Sequence, residues 1–204
     1  AGGSDIAQQI QFQNYMNNYK NTIEDSLFGG VVHSIFKQSS NPLDPTILSG
    51  ITDRIEKGVS LMSYFGHSSS TNSGFEINLD QPTNWNNTGK YPMMLVNSCY
   101  NGNIFQLVPS KSEEFVQVAN YGAIGYIASV SVGFDIYLNQ YSRSFYNLIS
   151  RDKYGATIGS QMQQNISDLY LTGISNSYLE STCTQMVLNG DPMVKLNWHQ
   201  NPEI

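Results

Sequence analysis

A histidine and a cysteine follow two apolar segments of the chain, and together they could form a catalytic pair. His67 ends the segment Tyr64-Phe65-Gly66-His67, and Cys99 comes 32 residues later, after Val96-Asn97-Ser98. Both segments predict buried strands, and the carboxyl ends of parallel strands open onto one crevice. A thiol beside an imidazole is a nucleophile with its proton-transfer partner. The spacing therefore predicts Cys99 as a nucleophile and His67 as its acid–base residue.

Each of the two residues also has a structural interpretation. A free cysteine is among the most buried residue types, and a histidine after a strand can simply hydrogen-bond a loop. The turn-like residues after Cys99, Tyr-Asn-Gly, favour the partial exposure that a reactive thiol needs. Gly66 permits close backbone approach, and three serines from Ser68 onward leave room for a ligand.

The remaining histidines and cysteine have simpler explanations. We expect His33 on the solvent side of a short strand, His199 exposed near the C-terminus, and Cys183 packed inside a helix. A disulfide between Cys99 and Cys183 stays open. None of these residues shows the spacing of metal ligands, so no zinc site is expected. Asp80 and Glu76, in a polar loop from 68 to 90, could bind calcium or a basic substrate side chain, or be solvated acids.

Composition limits the classes of partner. The 204 residues carry a net charge of −6, with 40% hydrophobic and only 13% charged residues. The ten basic residues are scattered, which argues against a nucleic-acid partner. No apolar run approaches the roughly 20 residues of a transmembrane segment. The polar, tyrosine-rich composition suits an exported bacterial protein, and the start Ala-Gly-Gly-Ser suggests a fragment of a longer chain.

Alternation of strands and helices predicts an α/β fold with a mostly parallel sheet. The first helix is capped by Ser4-Asp5 and runs to about Leu27. The other predicted helices cover 44–58, 111–121, 134–149, 156–171 and 178–188. The predicted strands cover 31–36, 59–65, 92–97, 123–128 and 193–197. Right-handed crossovers then bring His67, Cys99 and the loop after Ser129 to one rim.

At these residues the chain resembles the gingipain-like cysteine peptidases, relatives of the caspases. Five segments match in order along the chain. They are Gly2-Gly3, the strand from Gly58 to His67, the strand from Met94 to Gly102, the strand from Gly122 to Ser129, and Asn189-Gly190-Asp191-Pro192. The family's earlier subdomain has no counterpart, so residues 1–204 resemble the second half of its catalytic domain.

The resemblance implies a caspase-like fold, in which helices flank a mostly parallel sheet. It also implies that the substrates are peptides or proteins. It implies Cys99 as nucleophile and His67 as proton-transfer residue, with oxyanion donors at the N–H groups of Cys99 and of the residue next to His67. Residues expected around the substrate are Ser68, Glu76, Ser129 and Phe134. It implies no cofactor, with structural calcium left open, and a secreted or bacterial cell-surface, outer-membrane-associated location.

Three positions depart from the family pattern. Ser68 replaces the usual glycine after the histidine, and Ala1 replaces an acid before the glycine pair. Asp5 is only a doubtful match for the acid that selects a basic side chain. Arginine or lysine specificity is therefore not expected to carry over.

Three functions compete. The first is a cysteine peptidase, with a sortase-type transpeptidase of the type IX secretion system as a variant that uses the same dyad. The second is a catalytically silent, peptidase-like binding scaffold, motivated by the missing acid and by Ser68. The third is an unrelated α/β ligand-binding domain.

Overall fold

The structure is a computed structural model that describes residues 2–37, 45–72, 79–171 and 176–196. In these residues four strands form one sheet in the order β1-β2-β3-β4. The strands are β1 (Leu61–Phe65), β2 (Met93–Asn97), β3 (Gly125–Ser129) and β4 (Met186–Gly190). The first three strands are parallel, and β4 pairs antiparallel with β3. The expected mostly parallel α/β sheet flanked by helices is confirmed.

Six α-helices accompany the sheet in the described part of the chain. They are α1 (Ile6–Ile23), α2 (Pro45–Lys57), α3 (Lys111–Gln117), α4 (Asp135–Asn147), α5 (Ile158–Leu171) and α6 (Ser177–Gln185). The predicted cap of α1 is confirmed, since the Asp5 side chain accepts a hydrogen bond from the Gln8 N–H. A single turn of π-helix, Leu148–Asp152, follows α4.

Two hydrophobic cores lie on opposite faces of the sheet, because side chains alternate along each strand. Met93 and Leu95 of β2 join the core on the side of α1, α4, α5 and α6. Met94 and Val96 face the other core, which contains Trp85 and residues of α2 and α3. Every residue of β2 and β3 is buried, as expected for strands covered on both faces. The chemistry is therefore confined to the strand ends.

Two predicted strands are wrong. Residues 31–36 form no regular structure, and Val31 is 81% exposed, because no neighbouring strand pairs with this alternating segment. The last strand is Met186–Gly190, which the sequence placed partly in a helix, since a short apolar run does not separate helix from strand. Residues 193–196 form no strand beyond one isolated bridge between Lys195 and Thr157. Position 197 lies outside the described residues.

Across the described ranges, no helix is both long and apolar enough to cross a bilayer.

Candidate active site

His67 and Cys99 follow neighbouring strands at equivalent positions. Phe65 of β1 pairs with Asn97 of β2, and the Gly66 N–H donates to the Asn97 carbonyl oxygen at 3.1 Å. Continuing this parallel register by two residues places His67 across from Cys99. His67 is exposed and Cys99 is half-buried, so the cysteine is not sealed in the core. Both residues therefore lie at the carboxyl ends of neighbouring parallel strands.

Ser68 ties the two strand ends together. Its hydroxyl donates to the carbonyl oxygen of Cys99 at 2.5 Å. On the other side of β1, Gly66 lets the segment before α1 approach, because a Cβ there would lie 2.8 Å from the carbonyl oxygen of Gly2. The serine that departs from the family pattern therefore links the histidine segment to the cysteine.

The sulfur of Cys99 lies against the loop that follows β3. The N–H of Gly133 points at Sγ over 3.4 Å, and the Tyr100 N–H donates to the Ser131 carbonyl oxygen at 3.0 Å. The Cys99 thiol also lies 3.9 Å from the Gly133 carbonyl oxygen, to which it can donate. Gly133 has no room for a side chain, since a Cβ would lie 2.5 Å from Leu138 Cδ1 and 3.0 Å from the Ser98 oxygen. Tyr100 adopts a left-handed backbone with φ 60°, which turns the chain away after the cysteine.

The imidazole of His67 is held by helix α1. Its Nε2 lies 2.7 Å from Oε1 of Gln8, and its ring centroid lies 6.1 Å from that of Phe12. Gln8 and Phe12 are four residues apart and therefore share one face of the helix. Helix α1 is thus the element that fixes the ring.

Asn101 braces the turn after Cys99. Its buried amide donates to the carbonyl oxygens of Ser69 at 2.6 Å and Asn72 at 3.1 Å, and it accepts from the Tyr126 hydroxyl at 2.9 Å. Burial, followed by the nearby Asp80 carboxylate, raises the pKa of Tyr126 well above its ordinary value, so the phenol keeps its proton and donates. One side chain thereby connects both strand-end loops to β3.

The residues predicted to surround the substrate differ in their exposure to solvent. Phe134 is 47% exposed and contacts Tyr178, with ring centroids 5.1 Å apart. Tyr178 also stacks on Tyr137 at 5.8 Å, so the three rings form an aromatic wall on α4 and α6. Ser129 is only 1% exposed, and its hydroxyl donates to the Ser131 oxygen, so its side chain supports the loop from below. Glu76 lies outside the described residues.

Asp80 is not a solvated loop acid. It is 8% exposed, its carboxylate lies 3.8 Å from Nζ of Lys111, and its carbonyl oxygen accepts from the same ammonium at 3.1 Å. Lys111 itself is buried and also pairs with Glu114 at 2.6 Å. This buried ion pair fixes the start of α3, and it means that the Asp80 carboxylate is already paired with Lys111. Within the described ranges, no three His, Cys, Asp or Glu residues cluster as metal ligands.

The other titratable candidates lie away from this rim. Cys183 is packed in α6 with 2% exposure, as expected, and burial followed by the Glu180 charge raises the pKa of its thiol to about 11. Both cysteines are free thiols. His33 is exposed, as expected, although its strand is absent. His199 lies outside the described residues.

Three contributors were missed at the sequence level: Gln8, Asn101 and Gly133. Asn101 sits in the Tyr-Asn-Gly turn that the sequence marked only as a loop, and Gly133 ends the loop expected to form the substrate wall. Gln8 gives no local signal, because its role depends on how α1 packs beside β1.

Comparison with known proteins identifies the family. A family model described as peptidase family C25 matches residues 3–197. A search of curated proteins finds no significant match.

Among solved structures the chain resembles gingipains. It superimposes on the crystal structure of the Arg-specific cysteine proteinase gingipain R (RgpB) with a TM-score of 0.74 and 16% identity, covering 90% of this chain and 42% of that one. In the complex of the Porphyromonas gingivalis RgpB pro- and mature domains, the TM-score is 0.66 with 19% identity over 93% of this chain and 43% of that one. The chain thus spans less than half the length of these structures.

The match of the family model over nearly all of the chain, together with this shared fold, shows that the chain belongs to peptidase family C25.

Proposed function

We propose that this protein is a cysteine peptidase that hydrolyses peptide bonds with Cys99 as nucleophile and His67 as acid–base residue. One observation carries the proposal. The two residues follow paired positions of adjacent parallel strands, and Ser68 hydrogen-bonds the cysteine's own carbonyl oxygen. Membership of the peptidase family supports the same chemistry.

The reaction starts with proton transfer from the Cys99 thiol to the His67 imidazole. The sulfur then attacks the scissile carbonyl carbon, and the carbonyl oxygen takes up the negative charge. The tetrahedral intermediate collapses to a thioester as His67 protonates the leaving amine. Water, deprotonated by His67, then cleaves the thioester and restores the thiol. No cofactor is needed for any of these steps.

Two main-chain donors are available for the developing oxyanion. The N–H groups of Cys99 and Ser68 are not hydrogen-bonded to any residue in the described ranges. They belong to the two strand ends that the Ser68 hydroxyl joins, so they keep a fixed relation to the sulfur. Preorganised donors of this kind are worth about 3 kcal/mol each in related acyl-transfer chemistry.

The aromatic wall of Phe134, Tyr137 and Tyr178 adjoins the sulfur through Gly133. We propose that it receives the substrate side chain next to the scissile bond. Exposed aromatic faces favour an apolar side chain or the stem of a long one. The charge-poor composition and the family resemblance support action on peptides or proteins in a secreted or cell-surface setting.

A thiol-directed acyloxymethyl ketone probe tests the dyad in the full-length protein. We expect labelling of Cys99 near neutral pH and none of Cys183, whose raised pKa and burial keep it a protonated, shielded thiol. The matched controls are Cys99→Ala, which should abolish labelling, and Cys183→Ala, which should leave it unchanged. His67→Ala should slow labelling by roughly 100-fold or more.

The outcomes separate the candidate functions. Labelling that depends on Cys99 and His67, with peptide turnover, supports the peptidase. An amine acceptor that captures the acyl group more efficiently than water would indicate transpeptidation instead. A full-length protein that is neither labelled nor active would leave a binding scaffold.

A further inference from the structure

The side chain of Gln8 lies in direct contact with the imidazole of His67. Its Oε1 is 2.7 Å from Nε2 of the ring, and it also lies 2.7 Å from the main-chain nitrogen and 2.9 Å from the hydroxyl of Ser4. A main-chain N–H can only donate, so the Gln8 atom that receives it must be the carbonyl oxygen and not the amide nitrogen. The ring nitrogen facing the same oxygen must therefore also be a donor.

This requirement selects one form of the neutral histidine. With Nε2 carrying the proton, Nδ1 is left as the unprotonated nitrogen. We propose that Gln8 is a positioning residue for His67, which holds Nε2–H and leaves Nδ1 to exchange a proton with Cys99. The role in catalysis rests on the proposed function above, whereas the contact itself does not.

The face of the ring is restrained by a second residue of α1. Phe12 lies one turn after Gln8 and is 2% exposed, with its ring 6.1 Å from that of His67 and 4.7 Å from that of Phe65. The aromatic contact limits the tilt of the imidazole, and the amide limits its rotation. Two side chains from one helix face thus define both the orientation and the proton position.

Gln8 is itself held in place by the chain before it. The Gly2 N–H donates to the Phe65 carbonyl oxygen at 3.1 Å, which fastens this segment to the end of β1. The first turn of α1 then packs against Gly3, where a Cβ would lie 2.7 Å from the carbonyl carbon of Gln8. Asp5 accepts the Gln8 N–H at 2.9 Å and completes the cap. The glycine pair therefore lets the helix begin beside the histidine.

Few ionisable groups lie on the segments around the ring. In the described part of the chain they include Asp5 and Tyr15 of the α1 segment. Tyr64 of β1, whose hydroxyl donates to the His67 carbonyl oxygen at 3.2 Å, and Cys99 after β2 also belong to them. The Asp5 carboxylate is occupied by the helix cap. The direct partner of the ring is the neutral Gln8, so a charge introduced there should have a clear effect.

The contact is tested without catalysis, in the full-length Cys99→Ala protein with 13C-labelled histidine. We expect Gln8→Glu to raise the midpoint of the His67 ring titration by about one pH unit, because an adjacent carboxylate favours the imidazolium. His33 serves as an internal reference, and its midpoint should not move. Gln11→Glu is the matched control, because Gln11 lies on the same helix but bonds Tyr15 and not His67.

The catalytic role is tested by kinetics in the full-length protein with Cys99 present. We expect Gln8→Leu to lower kcat by roughly 10- to 100-fold with KM within about twofold, because the imidazole loses its orientation. Gln8→Glu, which keeps an acceptor oxygen, should restore most of kcat. Gln11→Leu should leave both constants unchanged.

These results are separable. An unmoved His67 titration in Gln8→Glu, or an active Gln8→Leu enzyme with normal kcat, overturns the positioning role. A wild-type protein that neither turns over peptide nor reacts with the thiol probe refutes the proposed function, even where the titration still responds to Gln8→Glu.

Discussion

Replacing Asn101 by alanine should destabilise the protein more than any neighbouring loop substitution. The side chain is fully buried and makes three hydrogen bonds. The side-chain amide donates two hydrogen bonds to the carbonyl oxygens of Ser69 and Asn72, which are exposed residues. Because these oxygens can hydrogen-bond to water instead, the loss of each bond costs about 1 kcal/mol. The Tyr126 hydroxyl is buried and loses its partner, which costs about 1–3 kcal/mol more.

The sum is about 3–5 kcal/mol of unfolding free energy. For a chain of this size, each kcal/mol lowers Tm by about 2–4 °C, so we expect a fall of about 6–20 °C. Tyr126→Phe removes only the third bond and should cost about 1–3 kcal/mol, because Asn101 Oδ1 is left unpaired. The double variant should cost less than the sum of the two, since both disrupt the same bond.

The assay is urea unfolding followed by tryptophan fluorescence, with thermal melts alongside. Asn103→Ala is the matched control, because that side chain accepts only from the exposed Phe105 N–H at 3.2 Å, and it should change stability by less than about 1 kcal/mol. The stabilising role of Asn101 would be refuted if Asn101→Ala lowered the free energy of unfolding by less than about 1 kcal/mol. Strict additivity of the free-energy losses of Asn101→Ala and Tyr126→Phe would also refute it.

Two further predictions concern the sulfur and the buried phenols. Gly133→Ala should slow probe labelling of Cys99 by at least roughly tenfold, because its Cβ would meet Leu138 and push the N–H away from Sγ; unchanged labelling would show that this contact is unimportant. Burial raises the pKa of Tyr146 to about 12 and raises those of Tyr19, Tyr126 and Tyr141 above the usual value of 10. The buried protonated phenols stabilise the fold fully below about pH 10, and this contribution is lost as the pH rises towards 12. Absorbance near 295 nm should therefore show these phenols ionising together with unfolding. Ionisation of all tyrosines near pH 10 in folded protein would contradict this prediction.

The central strands, and the positions of His67 and Cys99 at the ends of two of them, could be predicted from the sequence because their signals are local. β2 is an uninterrupted apolar run, which is typical of a strand buried on both faces, and Ser98-Cys99 follows it directly. The Asp5 cap likewise depends on residues three positions apart.

Other features depend on tertiary partners. Residues 31–36 alternate like a strand but have no neighbouring strand to pair with, and Met186–Gly190 became a strand because β3 offers an edge. Asp80 reads as a loop acid until Lys111 is found buried against it. Gln8 contacts a histidine 59 residues away, which no local pattern could indicate.

Hydrogen bonds from Gly66 and Ser68 to the end of β2 hold the ends of β1 and β2 together, so that these two strand ends should move as one. The aromatic wall belongs to a different unit, because Tyr137 and Tyr178 are carried by α4 and α6 and Tyr137 is bonded to Asn176. The strand ends that carry the proposed dyad and the helices that carry the proposed substrate wall are therefore held by separate sets of hydrogen bonds. Substitution of Phe134 or Tyr178 should change the substrate preference and leave the turnover rate largely unchanged. These two positions are therefore suitable starting points for engineering.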